Sequence, residues 1–153
     1  MKNKLLPNGY VVFCDDIRHE VGNKKSFIGV YSSALFFDGK FPATLPKLCA
    51  AIVYEDHIET KIEKIILRVA LPGDDPDHPT FEIDFPVASQ IAQMPKETAS
   101  GEKATLFAGG ADLVLTPATI NQPGFLRVSA IIEGEEVEFA KLFIGNTPAN
   151  PEA

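Results

Sequence analysis

The residues whose types could do chemistry crowd into one stretch, FCDDIRHEVGNKKSFIGVY, from Phe13 to Tyr31. Between Cys14 and Glu20 it holds a thiol, two adjacent carboxylates, an arginine, a histidine and a glutamate, the ingredients of nucleophilic or acid–base catalysis. Spacing decides whether they can cooperate. The stretch alternates as a strand does, and Gly22-Asn23 is a dipeptide that closes a two-residue hairpin. That turn would set Val21 opposite Lys24, Glu20 opposite Lys25 and His19 opposite Ser26. Alternation then puts Asp16, Arg18, Glu20 and Lys25 on one face, a solvated surface of paired charges. Phe13, Asp15, Ile17 and His19 take the core-facing side, with Ile28 and Val30 across from them.

Four residues along a strand span about 13 Å, so Asp15 and His19 cannot share a proton within it, and Cys14 points away from both. The one awkward residue is Asp15, a carboxylate on the apolar side. It must accept hydrogen bonds from loop backbone, serve a ligand or a catalytic step, or be exposed by a bulge.

A second cluster is GDDPDHP, where Asp74, Asp75, Asp77 and His78 offer ligands to calcium in the manner of a loop at the tip of a sandwich. The glycine precedes the carboxylates and no glutamate follows at the required distance, so the spacing is not that of an EF-hand; an acidic, proline-stiffened connection accounts for it as well. A zinc site from His57, His78 and carboxylates would need two loops to meet. Phe36, Phe37 and Phe41, in LFFDGKFPATLP, either form an apolar patch for a partner or plug the end of a core. No G-x-S-x-G, P-loop, G-x-G-x-x-G or H-E-x-x-H is present.

The elements that must position these residues read as strands. PKLCAAIVYE is a nearly continuous apolar run, as for a strand covered on both sides; KIEKIILRVAL and TFEIDF alternate. Further strands are expected over Thr105–Phe107, Ala111–Thr116, Phe125–Ile132 and Val137–Ile144, with turns at Gly109-Gly110 and Glu133-Gly134-Glu135. PVASQIAQM is the one helical piece. The sum is an all-β, antiparallel β-sandwich, immunoglobulin-like or C2-like, of about eight or nine strands with at most one short helix. One domain over residues 1–145 and a flexible tail over 146–153 are expected.

Composition limits the partners. The chain has 153 residues and a net charge of −7, with its 14 Lys and Arg scattered, so it lacks the concentrated positive face that nucleic acid or an anionic membrane requires. No stretch approaches a membrane span. Two cysteines, Cys14 and Cys49, fit buried thiols in a reducing compartment, with a single bridge between them as the alternative.

From Tyr10 to about Ala50 the chain resembles a family of small bacterial and phage proteins without established function, on the opening FCDDIRHEVGNKKSFIGVY and the later FPATLPKLCA. Beyond Ala50 the likeness is one of strand rhythm. The resemblance implies a β-rich cytosolic domain of bacterial or phage origin and brings no activity, cofactor or catalytic residue with it. The sequence therefore points to a cytoplasmic, non-enzymatic binding module with a protein partner, a homo-oligomer being one form of that. A Ca- or Zn-binding module or small metal-dependent enzyme using Asp74–His78 is the alternative, and a structural component of a larger assembly is the third. No cofactor is expected outside the calcium or zinc alternative.

Overall fold

The computed structural model describes residues 5–149. Its organising element is the apolar run Leu48–His57, a ten-residue strand whose first five residues are all buried. Such a strand needs cover on both faces and a partner on both edges. It has both partners: the first sheet runs β2 (Lys24–Tyr31), β1 (Asn8–Glu20), β5 (Leu48–His57), β8 (Leu106–Leu115). The second runs β3 (Ala34–Phe37), β11 (Glu135–Asn146), β10 (Gly124–Ile132), β6 (Ile65–Ala70), β7 (Phe81–Phe85). A short pair, β4 (Ala43–Leu45) with β9 (Ala118–Ile120), completes the strands, and the helix α1 (Val87–Gln93) lies between β7 and β8 in sequence.

The two sheets pack face to face as an all-β sandwich. Ala50, Ile52 and Tyr54 of the first sheet meet Leu67, Val69, Leu126, Val128 and Leu142 of the second in one core, which α1 joins through Val87 and Ile91. Each fully buried Leu or Ile there contributes roughly 2–3 kcal/mol. Eleven strands stand among the described residues, against the expected eight or nine. The excess lies in β3, β4 and β9, three or four residues each and too short for alternation to declare them. Pairing is antiparallel save for β3, which runs parallel to β11.

Three other expectations change. Gly109-Gly110 is not a turn: both residues lie inside β8, opposite Tyr54 and Val53, so the two strands expected around them are one. A side chain at Gly110 would overlap the Ile52 carbonyl, so glycine there permits the close β5–β8 approach. The tail expected from residue 146 is partly tied down: Asn146 ends β11, its amide donates to the Gly39 carbonyl at 2.6 Å, and Thr147 N–H donates to Phe37 O. Residues 150–153 lie outside the described part.

The first hairpin also differs. Glu20 pairs with Lys24, His19 with Lys25, Arg18 with Ser26 and Ile17 with Phe27, one residue out from the expected register. The loop takes three residues, Val21-Gly22-Asn23, with Gly22 and Asn23 both at positive φ. The last hairpin turns where expected, but over Glu133-Gly134 alone, both at positive φ, since Glu135 already pairs with Ile132 in β11. In β11, Phe139 falls at a bulge opposite Val128/Ser129, and its ring lies against Gly9 of β1, joining the two sheets where a side chain at Gly9 would not fit.

Because the atoms facing Gly110 are backbone and cannot swing aside, Gly110→Ala is expected to lower the unfolding free energy by at least about 3 kcal/mol in a urea titration.

Candidate functional site

The opening motif folds into an arm. Cys14 is the last β1 residue paired with β5, and the Asp15–Gly29 pair that follows is broken, with Gly29 at φ +66°. Beyond this hinge the hairpin doubles back. Asp112 of β8 sits in the same cross-strand row as Ala51 and Val12, and His19 lies seven residues past Val12, about 23 Å along a straight strand. Yet His19 Nε2 is 3.3 Å from Asp112 Oδ2, and Lys25 Nζ is 2.8 Å from Oδ1. The arm therefore lies back over β5 on the side away from the core and buries Cys49 and Ala51 there. Lys47 pairs with Asp16 at the arm's base; its ammonium holds the Asp16 carboxyl below the ordinary range, and the carboxylate in turn holds Lys47 up.

Asp15 is exposed. Its carboxylate lies over Gly29 and accepts the Tyr31 hydroxyl rather than loop N–H groups, while burial, and then that hydrogen bond, push Tyr31 up to about 12. The carboxylate on the apolar side of the hairpin is accommodated by the hinge, where the ladder opens. Cys14 and Cys49 face each other as free thiols, both fully buried. Burial, helped by the proximity of Cys49, raises the Cys14 thiol to about 11.

The structure does not bring Asp74, Asp75, Asp77 and His78 together as ligands. Asp74 Oδ2 accepts from Leu71 N–H at 2.9 Å, Thr80 N–H at 2.8 Å and the Thr80 hydroxyl at 2.7 Å. Asp75 Oδ1 accepts from Asp77 N–H, and Arg68 donates to the carbonyls of Pro76 and Asp77. The acidic residues fasten the loop from within. Among the described residues no three His, Cys, Asp or Glu side chains converge as a metal set, His57 and His78 included. Asp56, beside His57, is buried and accepts the Tyr54 hydroxyl at 2.7 Å.

Phe37 and Phe41 stack edge to face at 4.9 Å and pack against the core, whereas Phe36 is 49% exposed. Phe36 belongs to a different group, on the outer face of the second sheet. Along β10, Leu126, Val128 and Ala130 point inward, so Phe125, Arg127 and Ser129 point outward; along β11, Leu142 and Ile144 point inward, and Lys141 and Phe143 outward. Register then sets Phe125 opposite Phe143 and Arg127 opposite Lys141. The rings of Phe36, Phe143 and Phe125 form a row across three strands, at centroid distances of 6.2 and 5.5 Å. Arg127 and Lys141 stand 5.2 and 5.0 Å from the Phe125 ring.

The row opens into a cleft of about 600 Å³ beneath the Gly73–Pro79 loop. On its floor Arg68, 11% exposed, engages Glu82 at 3.1 Å and Glu136 at 3.3 Å. Ser129 donates to Glu136 at 2.6 Å, and Arg127 pairs with Glu138 at 2.8 Å. The Ser129 hydroxyl thus points to a carboxylate that a guanidinium already occupies, an arrangement that fixes the serine in place. Chemically the face offers apolar contact, stacking and charge pairing. Sequence reasoning passed over Phe125, Phe143, Arg127 and Lys141; the available signal was aromatic residues at the outward positions of two strands already identified.

Comparison with protein-family models, with curated proteins and with solved structures finds no match to this chain.

Two outcomes check this local chemistry. Asp74→Ala strands two backbone N–H groups and is expected to lower stability by about 1–3 kcal/mol in chemical denaturation. A thiol whose folded pKa is raised stabilises the fold below its unfolded value of 9.0 and loses that contribution as pH rises through about 11. Stability should therefore fall between those values by about 2–3 kcal/mol more in the wild type than in Cys14→Ala, measured by urea titration across that pH range.

Proposed function

We propose that this chain is a non-enzymatic protein-binding β-sandwich that docks its partner on the outer face of the five-stranded sheet. The observation that carries this reading is the row Phe36–Phe143–Phe125, with two of its three rings at least 40% exposed and flanked by the cations Arg127 and Lys141. Exposed aromatics beside arginine are the composition of binding hot spots, and the row exceeds the scattered single apolar residues of an ordinary surface. The partner that fits it presents an apolar side chain with a neighbouring carboxylate. The immunoglobulin-like character, the cytoplasmic setting and the bacterial or phage origin go with this reading; two free cysteines and the resemblance of the N-terminal third support the last two.

A second reading, as a component of an assembly, is favoured by one feature. The edge strand β2 exposes Phe27, Ile28 and Val30, and an edge of this kind can accept another strand.

The two are separated by paired variants. Phe36→Ala with Phe125→Ala should leave the melting temperature within a few degrees and weaken partner capture at least about 30-fold, while Ile28→Lys leaves capture intact. Capture that survives loss of both rings and fails with Ile28→Lys, together with a concentration-dependent mass in sedimentation, would replace the first reading with the second.

A further inference from the structure

We propose that Cys14 and Cys49 are a disulfide-forming pair at the hinge of the β1–β2 arm, and that closing the bond loosens the arm. The two residues are direct cross-strand partners in an antiparallel pair. Residues so placed have Cα atoms about 4.5–5.5 Å apart, inside the range that a disulfide spans without backbone movement. The position is also particular. Cys14 is where β1 parts from β5, and the residue after it begins the broken Asp15–Gly29 pair.

The thiols hold that hinge. Cys14 Sγ donates to the Asp16 carbonyl at 3.4 Å, and Cys49 Sγ reaches the Asp15 carbonyl at 3.7 Å. Both sulfurs are fully buried, with the arm's contacts to Asp112 and Lys47 closing over them. Oxidation removes both S–H donors at once, so two carbonyls at the base of the arm lose their partners.

The oxidant is a small organic disulfide. One cysteine thiolate attacks a sulfur of it and releases one thiol; the second attacks the mixed disulfide, forms the Cys14–Cys49 bond and releases the other. Two electrons pass to the oxidant, and the two protons of the cysteines end on the two released thiols. Burial, which raises both thiols, makes the exchange wait for openings of the arm and so keeps the pair reduced until oxidant is abundant.

The test uses the whole native chain, incubated with oxidised glutathione and then with dithiothreitol. Mass spectrometry should find a product lighter by about 2 Da, with the Cys14 and Cys49 peptides joined, and reduction should restore both thiols. Amide hydrogen exchange over residues 16–28 should rise several-fold in the oxidised form and return on reduction. Thiols that stay free, thiols that each carry one glutathione, or a joined pair with unchanged exchange in the arm would each overturn the proposal. Cys14→Ala and Cys49→Ala, given the same oxidant, should show no change in arm exchange; a rise in either would assign the effect to the reagent and equally overturn it.

Discussion

The structure depends on burying β5 on both faces. One face is covered in the ordinary way, by the opposite sheet, through Ala50, Ile52 and Tyr54. The other carries Cys49 and Ala51, which are equally buried although, among the described residues, no second sheet lies there. The chain covers that row with its own first hairpin, and this one requirement explains several otherwise separate features. Gly29 takes a left-handed conformation so that the ladder can break. Asp112, on the outward side of β8, collects His19 and Lys25 and fixes the tip. Asp16 and Lys47 fix the base. Gly110 lets β8 approach β5 closely from the other edge.

Charge is arranged to the same end. A net charge of −7 does not favour compaction, yet several of the ion pairs sit at joints: at the arm's two ends, and around Arg68. Arg68 is mostly shielded and also holds the Pro76 and Asp77 carbonyls, so it couples a loop to two strands with one side chain. Pairs of this kind contribute through geometry, since exposed pairs contribute little through Coulomb attraction. Arg127 and Lys141 differ, being like charges directly opposite one another, tolerated because the Phe125 ring and Glu138 lie beside them.

Much of the sandwich was legible because alternation reports burial directly, as in Ile65, Leu67 and Val69 of β6. The Glu133-Gly134 turn was legible because its two residues supply both positive φ angles. Gly22-Asn23 supplies them too, but the loop also takes in Val21, and one residue of difference changes every cross-strand partner in the arm. What sequence could not show was the fold-back. Alternation assigns sides within a flat strand, and at Asp15–Gly29 the strand stops being flat. His19, placed on the core side by counting, therefore meets Asp112 on the far side. The fastening of the acidic loop was hidden for a similar reason: its carboxylates, close in sequence, find partners in the backbone N–H groups of their own turn. Phe36, Phe37 and Phe41 read as one group, patch or core plug, whereas alternation in β3 divides them, sending Phe36 outward and Phe37 inward to the core that Phe41 also joins.

The two exposed surfaces differ in the physics of recognition they permit. The β2 edge offers unpaired backbone, and an edge recognises any strand with little regard for its side chains. The aromatic row lies on β3, β11 and β10; β3 is the sheet edge, while β11 and β10 are paired on both sides, so the backbone of those two is unavailable. Recognition there has to be made by side chains, through ring contact at Phe36 and Phe125 and charge at Arg127 and Lys141. Side-chain recognition is selective, because a partner must match both the apolar row and the flanking cations. Apart from β3, which is the sheet edge, the row stands on backbone paired on both sides with its aromatics left outward, and this favours the outer face of the five-stranded sheet over the β2 edge in the proposed binding role.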